Sequence, residues 1–577
     1  MNYAKYKAFC RVIYCYQEYW IWIVLGIIIN ILILFVVNKL LEKSKNLSIK
    51  KYIKKINLNR IDYLLLFMLT FIFFIWKITN ISKENVDSME SFNMQFNSLL
   101  STNIIKFLDT SIVIAHKLIY AVMLNLVQIF CAPENLVFLY RFISFGFGVL
   151  CSLLLFKFSI RVFQNKLIAY LGFILFNLNA LFLFYCRRIE VYSIFCFFVL
   201  LSFYDFWRIF IDRDKNKTLR YGIWIIIVFC LHDTGVVVIF SQALALFFLN
   251  RKQPLETRNY LYLKFMQSVL VFACLFFLLG PIFCASIISN HLILYKGAWE
   301  NNFYLGMEKL PEQINTMLNL IFGMPIFTIG LFSFPLFFAV FSLIKKNNNF
   351  FWLLLSILIS SILFQATFIY MFYIKVNACY FNIRHLLWIV PFIIMMYSFG
   401  FCDLCFLSNK NYKKILGYSF LIIILSSGIV KSNTVIYSNK TPDYEKAFYY
   451  IKDKFKDGDF LGWLCSFTSD VFFIHTKKND IFYDHDNTIL DERSAGVIFN
   501  NIALKQKKFK RFWVIVAKED YFGVDHMNLE FIDKCVNFLK KEFKEISCVK
   551  MNKIDIYLFE STRERLGGII EINRRIF

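Results

Sequence analysis

The stretch "IDYLLLFMLTFIFFIWKITNI" (Ile61–Ile81) decides the fold. It is apolar almost without interruption and matches the ~20 residues that an α-helix needs to cross a bilayer. Directly after it comes "SKENVDSMESFNMQF" (Ser82–Phe96), with carboxylates at Glu84, Asp87 and Glu90. A hydrophobic helix therefore ends in a cluster of acids. The rest of the chain has the same apolar character. Of its 577 residues 58% are hydrophobic, and 71 are Phe. A soluble protein cannot hide that much apolar surface, so the class is a polytopic α-helical membrane protein.

Candidate spans are 19–38, 61–81, 135–157, 166–185, 191–211, 221–231, 234–249, 262–285, 318–344, 350–373, 386–407 and 415–431. A further apolar segment, 111–131, contains His116, Lys117, Asn125 and Gln128; it either crosses or lies along the interface, for twelve or thirteen spans in all. The formal charge of +24 is read as topology, because Lys and Arg collect in loops that stay in the cytoplasm. "LEKSKNLSIKKYIKKINLNR" (41–60), "DRDKNKTLR", "NRK", "KKNNN" and "NKNYKK" then share the cytoplasmic side, and the N-terminus lies outside. No basic domain with interleaved aromatics occurs, so nucleic acid is not an expected partner. The 15 cysteines are scattered, and "CDLC" (Cys402–Cys405) is read as structural rather than metal-binding. The first apolar run begins near Tyr19 with no small-residue cleavage site after it, so no cleavable signal is expected.

This topology puts four polar clusters on the outer face: 82–110, "CRRIE" (186–190), "HDTG" (232–235) and "NIRH" (382–385). The stretch 221–249 is expected to form a hairpin of two short helices with "LHDTG" as its outer turn. The loop 286–317 is expected outside as well; its Tyr295, Trp299 and Tyr304 either stack on a sugar or anchor an interfacial helix. The chain divides into a membrane domain, 1–431, and a small α/β extracytoplasmic domain, 432–577. In the latter, Thr441 and Pro442 begin a helix, "DGD" turns into a strand, "RFWVIVA" (511–517) is a strand, 528–543 has helical periodicity, and "ISCVKM" and "IDIYLFE" form a terminal strand pair. "YDHDN" (Tyr483–Asn487) is read as a polar surface loop. No internal repeat of fixed period is seen.

A carboxylate beside a membrane can take a proton from an acceptor hydroxyl while a lipid-linked donor approaches sideways from the bilayer. The bland alternative is a solvated acidic loop. Such a donor ends in a phosphate or pyrophosphate, and Arg187, Arg188 and Arg384 stand on outer loops. Arg suits that partner because its planar fork binds phosphate oxygens in pairs. Headgroup contact, or an ion pair with Glu190, is the other use for these arginines.

Several ordered pieces resemble the membrane glycosyltransferases of the GT-C class, in particular glycosyltransferase family 39, which includes the protein O-mannosyltransferases and the aminoarabinose transferases of lipid A. The family's early acidic motif is similar to "NVDSMES": Asp87 matches its Asp, Ser88 stands where Glu would be, and Glu90 supplies a displaced second carboxylate. "AHKLIYAVMLNLVQIF" keeps His116 and Tyr120 of a His-Pro-Pro-Leu-Tyr-Tyr segment without its prolines. "FYCRRIEVYS" keeps Tyr185 and Tyr192 of Tyr-Tyr-Ser-Gln-Glu-Ala-Arg-Met-Tyr, with Arg188 and Glu190 exchanged, so an ion pair in reverse is expected. "LHDTG" keeps His232 of a Thr-His-Tyr turn. "IRHLLWIVP" keeps Arg384 and Pro391 of Arg-Tyr-Leu-Leu-Pro…Pro, with His385 in place of Tyr. The tail "PDYEKAFYYIKDKFKDGDFL" resembles the start of the family's outer domain. The resemblance spans about residues 61–560.

It implies an enzyme that moves a sugar, by a single inverting displacement, from a polyprenyl-phosphate donor to a hydroxyl of a lipid, glycan or protein at the outer face. Asp87 is the implied general base, with Glu90 or Glu84 as substitute. Arg384 and one of Arg187 and Arg188 hold the donor phosphate. His116, Tyr120, Glu190, Tyr192, His232 and His385 line the cavity. No cofactor and no metal are required, although acids near a phosphate could hold a divalent ion. The expected location is a cell membrane of the bacterial inner-membrane kind, with the C-terminal domain extracytoplasmic. Rival readings are a lipid-linked oligosaccharide ligase or polymerase, a transporter or flippase, and a non-catalytic binder of lipid-linked sugar. A transporter would carry inverted repeats and midplane charges.

Overall fold

A computed structural model describes residues 3–43, 58–81, 136–214, 218–232, 234–251, 253–270, 338–376, 383–406, 411–437, 443–456, 459–463, 511–517 and 543–560, with isolated positions near 120–127 and 533–541. Its membrane part is built from α1 (Tyr3–Lys43), α2 (Arg60–Ile78), α3 (Leu136–Phe163), α4 (Lys166–Asn177), α5 (Ala180–Cys186), α6 (Tyr192–Phe206), α7 (Thr218–Leu231), α8 (Gly235–Asn250), α9 (Asn348–Val376), α10 (Val390–Cys405) and α11 (Asn411–Tyr437). A π-helical turn, Trp207–Ile211, prolongs α6, and a 3-10 turn, Ile383–Ile389, leads into α10. Residues 255–270 and 338–346 are helical too.

Among the described residues seven helices are long and apolar enough to cross a membrane. The pair α4 and α5, bent by 62°, makes an eighth if it is one broken span. These fall on the expected spans. The expected hairpin at 221–249 is present as α7 and α8, 14 and 16 residues long. At 1.5 Å per residue these helices are shorter than the ~30 Å hydrocarbon core. The expected spans 262–285 and 318–344 are described only at one end each, and 111–131 and the loop 286–317 lie outside the described residues or nearly so.

Local chemistry starts the helices where the sequence turns polar. The side chain of Asn59 accepts from Asp62 N at 2.8 Å, while that of Asp62 accepts from Asn59 N at 2.8 Å, which satisfies two orphan donors of α2 at once. Asn165 caps α4 at Leu167 N (2.8 Å), and Asn179 starts α5 at Phe182 N (2.8 Å). Lipid tails are as apolar as Leu, so packing and interhelical polar contacts hold the bundle rather than hydrophobic burial. Phe158 of α3 meets Tyr204, Trp207 and Phe392 edge-on. Tyr221 donates to Gln242 (2.8 Å), which donates to Ser202 (3.0 Å). On α1, α2 and α11, rows of Ile, Leu and Phe face outward, as lipid contact requires.

The two ends of the bundle differ. One end is stitched by ion pairs: Lys166 with Asp62 (2.5 Å), Arg161 with Asp212 (2.5 Å), Arg208 with Asp214, Arg220 with Asp205, and Lys346 with Asp403. This is the end where the basic loops attach. Asp205 is wholly buried there and also accepts from Trp224 Nε1 at 3.0 Å. Removing its charge weakens the hold on the part-exposed Arg220 guanidinium and on Trp224 Nε1, so Asp205→Asn is expected to cost about 1 kcal/mol. A fall in the thermal midpoint of the detergent-solubilised chain checks this.

At the other end α11 carries the chain out of the bundle, tied by Trp76 Nε1 to Asn433 (2.9 Å) and by Ser432 Oγ to Leu178 O (3.1 Å). The small α/β unit follows. It holds α12 (Tyr444–Lys454) and a four-stranded sheet of β1 (Asp459–Trp463), β2 (Arg511–Ala517), β3 (Lys544–Met551) and β4 (Ile554–Glu560), in the order β1-β2-β4-β3. β1 runs parallel to β2, while β2–β4 and β3–β4 are antiparallel. Tyr444, Ala447, Phe448 and Ile451 form the buried stripe of α12 at helical spacing. Buried Asp459 joins β1 to β2 by accepting from Arg511 Nε (2.8 Å) and Trp513 Nε1 (2.9 Å). The helix expected after Pro442, the strands and the terminal strand pair are present; most of 528–543 and the acidic cluster at 483–487 lie outside the described residues.

Candidate functional site

The site is built around the point where α2 ends. The last carbonyls of an α-helix lack partners within it and favour cations. Arg187 Nη1 donates to the carbonyls of Lys77 and Thr79, the latter at 3.0 Å. Arg141 Nη1, from α3, donates to Ile81 O at 2.9 Å. Lys77 Nζ donates to Asn177 Oδ1 at 2.9 Å, and Asn177 in turn donates to Phe173 O at 2.8 Å. Lys77, Arg141, Asn177 and Arg187 are all buried. Two helices and one loop are thus tied to the residues that immediately precede the acidic stretch 82–96.

The loop 187–191, between α5 and α6, supplies the next layer. The Arg188 guanidinium lies 3.9 Å from the Phe184 ring centroid. The backbone turns tightly, Glu190 N donating to Arg188 O at 2.8 Å, and Ser144 Oγ fastens it by donating to Glu190 O at 3.2 Å. Glu190 is fully buried, and neither carboxylate oxygen has a hydrogen-bond partner. The expected ion pair of Glu190 with Arg188 does not form: Arg188 spreads over an aromatic ring, and Arg187 turns to the end of α2.

Aromatic rings continue the wall. Tyr185 meets Phe184 (5.2 Å between centroids) and Tyr192 (5.4 Å); Tyr192 meets His232 (5.5 Å), and His232 meets His385 (5.3 Å). Thr234 N donates to His232 Nδ1 at 3.2 Å, so the neutral ring carries its proton on Nε2. The hairpin turn that places His232 depends on Gly235. A Cβ there would lie 2.8 Å from both Val228 O and Phe229 Cα, backbone atoms that cannot step aside. Gly235→Ala is therefore expected to splay α7 from α8, lowering stability by about 1–3 kcal/mol. The thermal midpoint of the purified variant reads this.

The structure thus brings together Arg187, Arg188, Glu190, Tyr192, His232 and His385, parts of three separate sequence clusters. Tyr120 is buried in the same core. Glu84, Asp87, Glu90 and His116 lie outside the described residues, as does the side chain of Arg384, whose backbone opens the 3-10 turn. Lys77, Arg141 and Asn177 were not singled out from the sequence. Their signal was available: Lys77 is a cation inside the apolar run 61–81, and Arg141 one inside 135–157. Among the described residues no group of three or more His, Cys, Asp or Glu side chains converges as metal ligands would.

No family model matches the chain, and no curated protein does. Among the solved structures of similar fold are two of ArnT from Cupriavidus metallidurans, one in the apo state and one bound to undecaprenyl phosphate. The first shares 8% identity at a TM-score of 0.49 and the second 9% at 0.47; in both, 86% of this chain and 97% of the other are covered.

Proposed function

We propose that this membrane protein is a glycosyltransferase of the GT-C kind, moving a sugar from a polyprenyl-phosphate donor to an acceptor hydroxyl at the outer membrane face. The observation that carries this reading is the asymmetry of the bundle. Its basic-loop end is neutralised by ion pairs, whereas the opposite end buries Lys77, Arg141, Arg187, Arg188, Glu190 and His232 within membrane helices and their turns, with His385 half-buried beside them. Intramembrane ionisable groups are costly and mark function.

In this proposal Asp87 takes the proton of the acceptor hydroxyl, with Glu90 or Glu84 as substitute. The acceptor oxygen attacks the anomeric carbon, the bond from that carbon to the phosphate oxygen breaks, and polyprenyl phosphate leaves with the electron pair. A single displacement inverts the anomeric centre. Arg384 and Arg188 hold the phosphate, and Arg187 positions the end of α2. Arginines can neutralise a phosphate monoester unaided, so the proposal requires no metal. The donor end faces outward because the basic loops face the cytoplasm, which also puts the α/β domain outside a membrane of the bacterial inner-membrane kind.

The test offers the purified full chain undecaprenyl-phosphate sugars together with a lipid extract as acceptor. Release of free undecaprenyl phosphate, dependent on the extract, is the expected result. Bound donor without release overturns transfer and leaves a binder or transporter of lipid-linked sugar.

A further inference from the structure

Two buried side chains at the start of α6 have polar atoms with no hydrogen-bond partner: Glu190, through both carboxylate oxygens, and Ser193, through its hydroxyl. They are three residues apart, across the first turn of the helix, and both are fully buried. A buried polar atom left unbonded costs about 1–3 kcal/mol, more when charged, so three such atoms together demand a partner. Gln365 of α9 is also buried with both amide atoms unbonded.

The surroundings decide what that partner is. Lys77, Arg141, Arg187 and Arg188 are buried on the same loop and on neighbouring elements, so the described charges around Glu190 are mostly cationic and disfavour a cation or a metal ion. A neutral ligand rich in hydroxyl donors meets no such repulsion. Two carboxylate oxygens can accept from two adjacent hydroxyls, Ser193 can serve a third, and the Tyr192 and His232 rings offer an apolar wall to a sugar's C–H face. We propose that Glu190 and Ser193 form the subsite that recognises the sugar carried by the lipid-linked donor, reading its hydroxyls rather than its phosphate. This inference rests on the function proposed above.

The experiment measures binding, without turnover, to the full chain in nanodiscs. The probes are undecaprenyl phosphate alone and undecaprenyl phosphate bearing glucose, galactose, mannose or N-acetylglucosamine. Wild type is expected to bind at least one sugar-bearing probe more tightly than the bare carrier. Glu190→Gln is expected to lose that preference, roughly 10- to 100-fold, while binding bare undecaprenyl phosphate as before. Retained binding of the bare carrier reports an intact fold. Should Glu190→Gln bind neither probe, Ser193→Ala decides, with an expected loss of preference of roughly 3- to 10-fold. Equal binding of bare and sugar-bearing probes by wild type, or a preference that survives in both variants, overturns the subsite but leaves the transferase proposal standing. No binding of any probe by wild type overturns both.

Discussion

Full-length protein carrying Asp87→Asn is expected to release undecaprenyl phosphate about 100- to 10,000-fold more slowly than wild type, the range spanned by the loss of a general base. The amide cannot accept the acceptor's proton, yet it keeps the volume and most of the hydrogen bonding of the acid. Donor binding, which the proposal assigns to arginines, should change little, so the loss falls on kcat rather than KM. Glu90→Gln and Glu84→Gln separate the three acids. If Asp87 is the base, each of these variants retains most of the activity; if Asp87→Asn is as fast as wild type, the role passes to whichever of the two abolishes release. Unchanged release in all three single variants would remove the acidic stretch from the chemistry altogether.

The extent to which sequence and structure agree follows from the physics of each feature. Membrane helices are legible because the bilayer demands about 20 apolar residues in a row, and Arg60–Ile78, Leu136–Phe163 and Asn348–Val376 stand where that rule places them. The strands β2, β3 and β4 are legible from β-branched and aromatic runs bounded by polar turns. The grouping of "CRRIE", "HDTG" and "NIRH" at one end was legible from alternating sidedness alone. Which partner each charge would choose was not. Arg188 and Glu190 look like an ion pair two residues apart, yet a two-residue loop spacing does not oblige side chains to face each other. Arg187 finds carbonyls more than a hundred positions earlier in the chain, at Lys77 and Thr79, and nothing local in the sequence encodes that meeting. Likewise the bend after α4 follows from two successive caps at Leu178 and Asn179, a detail that hydropathy cannot resolve.

Arg187→Leu is expected to destabilise the bundle by about 1–3 kcal/mol, since it leaves the buried carbonyl of Lys77 and the part-buried one of Thr79 without that donor. The reason is geometric. α2 lays one side, with Leu66, Leu69, Phe73 and Phe74, on the bundle and turns the other to lipid, so its ends help to fix its position. At the basic-loop end the Asn59–Asp62 capping box, Lys166 and the Tyr170 hydroxyl (2.9 Å to Asp62 O) hold it; at the other, Arg187, Arg141 and the Trp76–Asn433 bond do. Loss of Arg187 frees the exit of α2 from the bundle, and with it the point from which Ser82 and the acids depart. Arg187→Lys keeps the charge but trades a planar fork for a point donor, so it should recover part of the stability and less of the activity. Arg141 bonds the same chain end, and the Arg141→Leu, Arg187→Leu pair should therefore be non-additive by 0.5 kcal/mol or more, the level expected of residues that share a partner segment. Thermal midpoints in detergent read stability, and undecaprenyl phosphate release reads activity. A Leu variant as stable as wild type would show that the packed side of α2 and its other end contacts hold it and that its arginine cap is incidental.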